Sequence, residues 1–196
     1  MINYRPFLIL TVLCFFPLPA KADPVEDAVT QIRAKYNQIE NASLKTEVIE
    51  FAPDDDPSYG KVTKYFQNGQ LVKANFVFGE GDHGGADETY YYENGQLFFI
   101  YVAQNSWGFT GQTAANGESE TIDTMTEHRL YFSNGALIRH LKKEVKSTNY
   151  EALASLIAKA PNQTHNDPTL SSAAKMRGFQ IPGVGSWQDI ATILGY

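Results

Sequence analysis

The feature of the sequence that most constrains the fold is a short motif that occurs three times. Each copy has two aromatic residues, one spacer, Asn-Gly, one further residue and Leu, and the copies span Tyr65–Leu71, Tyr91–Leu97 and Tyr131–Leu137. Asn and Gly accept the positive φ angles that both central positions of a type I′ turn require, and this turn matches the twist of antiparallel strands. The repeat therefore predicts three β-hairpins in an antiparallel sheet.

The segments that flank these turns extend the hairpins. Alternation and β-branched or aromatic residues predict the strand pairs Tyr59–Phe66 with Gln70–Phe78, Asp87–Tyr92 with Gln96–Asn105, and Glu120–Phe132 with Ala136–Lys146. Lys45–Phe51 alternates enough to predict one more strand before them. Gly79–Ala86 and Ser106–Gly117 are polar and rich in glycine, and they are predicted to be loops between the hairpins.

Helical patterns stand on either side of the hairpins. Asp23 is a candidate N-cap with Pro24 in the first turn. Apolar residues then recur at three- and four-residue spacing and predict one face that packs on a core: Val25, Val29, Ile32, Tyr36 and Ile39. Asn149 is a candidate N-cap for a helix over Tyr150–Ala160. Weaker signals predict short helices at Ser171–Arg177 and Trp187–Leu194.

These elements predict an α+β fold in which a curved antiparallel sheet of three or more hairpins packs against an N-terminal helix, with C-terminal helices. Residues 23–161 are predicted to form this domain, and residues 162–196 a weakly helical segment packed on it. Each turn is predicted to pair the aromatic residue before it with the leucine after it, giving Phe66 with Leu71, Tyr92 with Leu97, and Phe132 with Leu137.

Both faces of the predicted sheet are apolar. Counting outward from the second turn places Ile100 and Val102 on the face of Tyr91, because side chains alternate along a strand. One face should pack on the N-terminal helix. The other face is expected either to be closed by curling and by the C-terminal segment, or to remain an aromatic surface for a partner. The centre of that surface would be Tyr90, Tyr92, Phe99 and Tyr101.

The heptapeptide of the second hairpin, Tyr-Tyr-Glu-Asn-Gly-Gln-Leu at Tyr91–Leu97, resembles the core of MORN-variant repeats. In bacterial proteins these tandem short hairpins carry a Tyr-Tyr-x-Asn-Gly-x-Leu signature. The resemblance implies a scaffold or interaction role and supplies no catalytic residues. In layout alone, a helix followed by a curved antiparallel sheet also resembles cystatin-like domains, several of which bind enzymes or ligands.

The first 22 residues have the organisation of a cleavable secretory signal. Arg5 provides a positive charge, Phe7–Phe16 is apolar, and Ala20-Lys21-Ala22 provides a small-x-small cleavage site. The apolar run is about ten residues long, half the roughly 20 that span a membrane. We therefore expect a periplasmic or secreted protein that starts near Asp23 and has no transmembrane segment. Lipid attachment at Cys14 is the alternative.

Loss of the signal would remove the only cysteine and leave a net charge of about −8. An exported chain without cysteine has no disulfides, so its stability must come from a hydrophobic core. The acidic balance argues against nucleic acid or an anionic membrane as a partner, because both attract clustered Lys and Arg. The partner class that remains is a protein or glycan of the cell envelope.

Few residues are candidates for chemistry. Asp82-His83 with Asp87-Glu88, and separately Asp54–Asp56, present oxygen and imidazole ligands, but neither group has the spacing of a known metal loop. No metal, cofactor or catalytic residue is therefore predicted. His128 is predicted to be a hydrogen-bonded core residue, whereas His140 is placed on the opposite, exposed side.

The sequence thus predicts an exported, non-catalytic binding or interaction protein that uses its aromatic antiparallel sheet. The alternative is a small exported hydrolase that acts on glycans. Its carboxylates would be Asp87, Glu88 or Glu93, because glycosidase sites combine carboxylates with aromatic platforms.

Overall fold

The protein is described by a computed structural model that covers residues 23–53, 58–79, 84–114 and 117–196. The described residues form four helices and one antiparallel sheet of eight strands, which confirms the predicted α+β class. The helices are α1 (Pro24–Glu40), α2 (Leu153–Lys159), α3 (Pro168–Gln180) and α4 (Trp187–Leu194), with short 3₁₀ turns at Tyr150–Ala152 and Ile181–Gly183.

The strands follow one another as a meander, so each pairs with the next one in the chain. They are β1 (Lys45–Phe51), β2 (Tyr59–Gln67), β3 (Gln70–Gly79), β4 (Gly84–Glu93), β5 (Gln96–Thr113), β6 (Ser119–Ser133), β7 (Ala136–Ser147) and β8 (Gln163–Thr164). The predicted signal segment lies outside the described residues. Within them, no helix combines the length and the apolar character needed to cross a membrane.

The three Asn-Gly turns are formed as predicted. Asn68, Asn94 and Asn134 have φ angles of 50° to 51°, and the glycine after each also has a positive φ. Both central residues are therefore left-handed, as a type I′ turn requires. The flanking pairs are also confirmed, since Phe66 lies opposite Leu71, Tyr92 opposite Leu97, and Phe132 opposite Leu137.

Each hairpin has a β-bulge directly beyond its turn. In the second hairpin, Tyr92 pairs with Leu97 but Tyr91 pairs with Phe99, so Phe98 is an extra residue. One extra residue moves all later side chains of the returning strand to the other face. The prediction that Ile100 and Val102 share the face of Tyr91 is therefore wrong. The first and third hairpins contain the same shift.

The sheet is covered on both faces, so the structure shows the covered alternative rather than an open aromatic surface. Helix α1 covers one face with a core of Val29, Ile32, Ile39, Tyr91, Phe98, Phe99 and Tyr131. Helices α3 and α4 cover the other face, and buried residues of that core include Tyr90, Tyr92, Leu97, Ile100, Val102, Leu130, Phe132, Ala174, Ile181 and Ile190. Residues 162–196 thus pack on the sheet.

Several elements differ from the predictions. Strand β4 begins at Gly84, inside the segment Gly79–Ala86 that was predicted to be a loop. Strand β5 continues to Thr113, through most of the segment Ser106–Gly117 that was predicted to be a loop. The reason is that β6 pairs with it as far as Thr113 opposite Ser119, although the residues there are polar. Helix α3 is longer than the predicted Ser171–Arg177, and β8 was not predicted.

A candidate ligand-binding cleft between helix and sheet

The four residues predicted as a partner surface do not lie together. Tyr90 and Tyr92 are buried under α3, where the Tyr92 hydroxyl donates a hydrogen bond of 2.8 Å to the Gly178 carbonyl. Phe99 belongs to the core beneath α1, and the half-buried Tyr101 packs against that core. The bulge at Phe98 separates the two pairs, because it shifts Phe99 and Tyr101 to the opposite face.

A cleft of about 510 Å³ opens between α1 and the sheet beside Phe99 and Tyr101. This volume is within the range of small-molecule sites, roughly 300 to 1,000 Å³. Helix α1 supplies four lining residues and strands β4 to β6 supply five. They are Ile32, Arg33, Tyr36, Asn37, Tyr91, Phe99, Tyr101, Arg129 and Tyr131.

Aromatic rings that contact one another form the walls of the cleft. Tyr36 on α1 lies 5.1 Å from Tyr91 and 5.7 Å from Phe99, measured between ring centroids, and meets Phe99 edge to face. Phe99 lies 4.9 Å from Tyr131 on the neighbouring strand. Tilted and edge-to-face pairs at these separations are favourable, so the rings hold one another in place.

Two of the three tyrosines that the sheet contributes to the cleft, Tyr91 and Tyr101, have hydroxyl groups bound to neighbouring carboxylates. Tyr91 donates a hydrogen bond of 3.0 Å to Glu40 Oε1, and burial and the charge of Glu40 raise the pKa of Tyr91 far above its ordinary value. Burial and a hydrogen bond to Glu127 likewise raise the pKa of Tyr101. Neither phenol is therefore suited to give up a proton near neutral pH.

Two arginines add positive charge at the cleft. The Arg129 guanidinium lies 5.2 Å from the centroid of the Tyr101 ring and forms an ion pair of 2.8 Å with Glu127. The Arg33 guanidinium lies 5.9 Å from the centroid of the Tyr131 ring. Both distances are within the range of cation–π contacts, about 6 Å.

Sequence analysis missed Tyr36, Arg33 and Arg129 as site residues. They come from a helix and a strand about a hundred residues apart, so no local motif joins them. The one available signal was the strand register, since Tyr101 lies directly opposite Arg129. The face of the sheet that this pair occupies depends on the bulge at Phe98, and the turn motif alone does not reveal that bulge.

The carboxylates considered for hydrolysis do not converge. Glu88 faces α3 and is 1% exposed, where it binds Arg177. Asp87 is on the other face of the sheet and accepts a hydrogen bond from Asn75. Glu93 forms an exposed ion pair with a lysine of α1. Hydrolysis by two carboxylates requires both to flank one bond, and these three do not.

Three histidines meet on the face that α3 and α4 cover. His128 Nδ1 and His140 Nε2 are 2.8 Å apart and share a hydrogen bond, and the His165 ring lies 4.9 Å from that of His140 between centroids. The prediction that His128 is a hydrogen-bonded core residue is confirmed. The prediction that His140 is exposed is wrong, because the bulge in the third hairpin turns it inward, where it pairs with Leu130.

The histidine pair predicts a loss of stability in mild acid. Burial lowers the pKa of His128 to about 4, with a further contribution from His140, whose own pKa burial lowers. The folded state then binds fewer protons than the unfolded state, so stability present above about pH 6.5 is lost as the pH falls towards 4. We expect the free energy of unfolding, measured with urea, to be about 1 kcal/mol lower at about pH 5.5 than at about pH 7.5.

A substitution isolates the contribution of this pair. His128→Gln should be less stable at neutral pH but should lose less stability over the same interval, because one of the two buried imidazoles no longer titrates. Carboxylates are mostly ionised throughout that interval and contribute little to the change. Equal losses in the wild type and His128→Gln would contradict the assignment.

The residues considered as metal ligands from the sequence are not brought together within the described part of the chain. Asp54–Asp56, Asp82 and His83 lie outside the described residues, and Asp87 and Glu88 point to opposite faces of β4. Within the described part of the chain, no group of three or more His, Cys, Asp or Glu side chains is arranged to hold a metal ion.

No protein-family model, curated protein or solved structure matches this chain. The cleft between α1 and the sheet is therefore the main structural basis for proposing a function.

Proposed function

We propose that this is an exported, non-catalytic binding protein whose cleft between α1 and the sheet holds a small ligand with a flat apolar ring. The observation that carries the proposal is the aromatic lining of a cleft of about 510 Å³. Flat rings gain both area burial and ring–ring contact between such walls. Export is the expectation that follows from residues 1–22.

The polar groups at the cleft suit binding better than catalysis. The hydroxyl groups of Tyr91 and Tyr101 are bound to carboxylates of the protein, and Arg129 is held by Glu127. Such fixed groups orient a ligand without exchanging protons with it. A hydrolase that acts on glycans remains the alternative from the sequence, but the carboxylates of the second hairpin lie apart and do not favour it.

A substitution that fills the cleft provides the test. Asn37 lines the cleft from the exposed side of α1, so Asn37→Trp should place an indole ring in the ligand space. The uncharged fluorescent probe phenylnaphthylamine should bind the wild type saturably, and Asn37→Trp should weaken binding at least about tenfold, or about 1.4 kcal/mol. Fluorescence titration measures the dissociation constants.

Gln38→Trp is the matched control. Gln38 is the next residue of α1, is exposed and does not line the cleft. This variant should bind the probe within about twofold of the wild type, and both variants should melt near the wild-type temperature. A wild type that shows no saturable binding, or two variants that bind equally well, would contradict the proposal.

A further inference from the structure

We propose that the ligand carries an anionic group attached to its flat ring, and that Arg33 binds this group at the end of the cleft formed by Tyr131. This inference rests on the proposed function, since it specifies the ligand of the same cleft. It makes Arg33 a specificity-determining residue.

The charged side chains that line the cleft are positive. Among the described residues that line it, the two charged side chains are Arg33 and Arg129, and none is a carboxylate. The whole chain has the opposite balance, with 16 Lys and Arg against 22 Asp and Glu. The cleft is thus locally positive in an acidic protein.

The two arginines of the cleft differ in their partners. Arg129 is committed to protein partners, because one amino group forms the 2.8 Å ion pair with Glu127 and the other donates a hydrogen bond of 3.1 Å to Asn162 Oδ1. Arg33 is exposed and forms no ion pair with any described residue. Its planar donors are free to bind an anion.

Hydrogen bonds from Arg139, helped by the charge of Arg33, lower the pKa of Glu26, but Glu26 forms its ion pair with Arg139 and not with Arg33. Glu26, on the same helix, accepts two hydrogen bonds from Arg139, of 3.0 and 2.5 Å. Glu127 and Asp87 lie on the strands to either side of Ala103, directly opposite it, and Ala103 is two residues after Tyr101 on β5. Because Glu127 already offsets the charge of Arg129, an anion is attracted more strongly at the Arg33 end than at the Tyr101 end.

The geometry also defines the chemistry of the ligand. A guanidinium group forms two parallel hydrogen bonds with a carboxylate, sulfonate or phosphate, whereas an ammonium group lacks this planar match. Because Arg33 lies over the Tyr131 ring, a ring stacked in the cleft would bring an attached anionic group towards these donors. The inferred class is an aromatic acid or another flat ring with one acidic substituent.

The test compares two probes that share one ring system. Anilinonaphthalene sulfonate carries a sulfonate, and phenylnaphthylamine is its uncharged parent. Arg33→Gln should weaken binding of the sulfonate about tenfold, the effect of losing charge-assisted hydrogen bonds, and should change binding of the uncharged probe less than about twofold. Arg33→Lys should retain part of the sulfonate affinity.

Lys35→Gln is the matched control for charge. It removes one positive charge from the same helix, two residues away and outside the cleft lining. It should leave the affinities for both probes within about twofold of the wild type. If Lys35→Gln weakens the sulfonate as much as Arg33→Gln does, the effect is long-range and Arg33 does not bind the anion.

The outcomes separate the two proposals. If neither probe binds the wild type saturably, the proposed function fails and the anionic ligand fails with it. If both probes bind but Arg33→Gln affects them equally or not at all, the cleft binds flat rings without selecting an anion, and only the present inference is overturned.

Discussion

Replacing Arg177 by Met is expected to lower the free energy of unfolding by about 3 to 5 kcal/mol. Arg177 on α3 donates two hydrogen bonds to the Glu88 carboxylate on β4, from Nε at 2.8 Å and from an amino group at 2.5 Å. Glu88 is 1% exposed, and the Tyr90 hydroxyl also donates to it. Without Arg177, a buried carboxylate would lose its counter-charge.

This loss of stability reflects the cost of leaving a buried charge unpaired. It does not measure how much the ion pair itself stabilises the protein. A buried pair gains little over apolar residues of the same size, whereas removal of one partner is strongly destabilising. The double variant Glu88→Gln, Arg177→Met should therefore be more stable than Arg177→Met alone. Urea unfolding at neutral pH, monitored by circular dichroism, gives the free energy of unfolding of the wild type, of Arg177→Met and of the double variant.

Lys175→Met is the matched control for the Arg177 substitution. Lys175 is also on α3, but its bond of 2.7 Å to the Gly135 carbonyl is exposed to solvent. Its loss should cost less than about 1 kcal/mol. The assignment is contradicted if Arg177→Met destabilises the protein no more than Lys175→Met does.

Replacing Tyr90 by Ala is expected to cost about 3 to 5 kcal/mol, because it removes a large, fully buried ring. Tyr90 is 0% exposed and packs in the core beneath the C-terminal helices. Tyr101→Ala should cost less, since Tyr101 is half-buried, and it should weaken probe binding in the cleft. The two tyrosines thus have different roles, although the sequence grouped them together.

Tyr150→Ala is the matched control for Tyr90→Ala, because it makes the same change of side chain at an exposed position. Tyr150 is 60% exposed, so its loss should cost less than about 1 kcal/mol. Thermal and urea unfolding of the three variants give the comparison. Tyr90 would be shown not to be a core residue if Tyr90→Ala and Tyr150→Ala were equally stable.

The hairpins could be predicted from the sequence because their determinants are local. Asn94 and Gly95 specify the turn by their backbone preferences, and the residues on either side then pair whatever the rest of the chain does. The bulge at Phe98 could not be predicted in this way. It recurs at the same offset in all three hairpins, but the preference of Asn-Gly for a two-residue turn does not include it, and it determines the faces of all later residues.

Helix α3 illustrates a second limit. Its sequence contains Gly178, which weakens a helical prediction by about 1 kcal/mol relative to alanine. The structure gives the reason for glycine here, since a Cβ atom would lie 2.9 Å from a Leu97 methyl carbon and 3.0 Å from the Tyr90 ring. Glycine is required at this position because the helix lies so close to the sheet. No local sequence pattern indicates that contact, although the glycine itself weakens the helical prediction.

The cleft is the least predictable feature because it exists only between elements. The apolar spacing of α1 predicted that Ile32 and Tyr36 face a core, and the structure confirms that packing. The adjacent residues Arg33 and Asn37 line the cleft only because the sheet beside them is formed by Phe99, Tyr101 and Tyr131 at the observed register. Local periodicity contains no information about that space.

The most direct test of the central claim is a two-dimensional amide NMR spectrum of the wild-type protein titrated with phenylnaphthylamine. The account predicts saturable shifts for residues 32–37 of α1 and for the strand residues around Phe99, Tyr101 and Tyr131, with the C-terminal helices unaffected. Shifts that centre instead on α3 and α4, or no saturable shifts, would contradict a ligand site between α1 and the sheet.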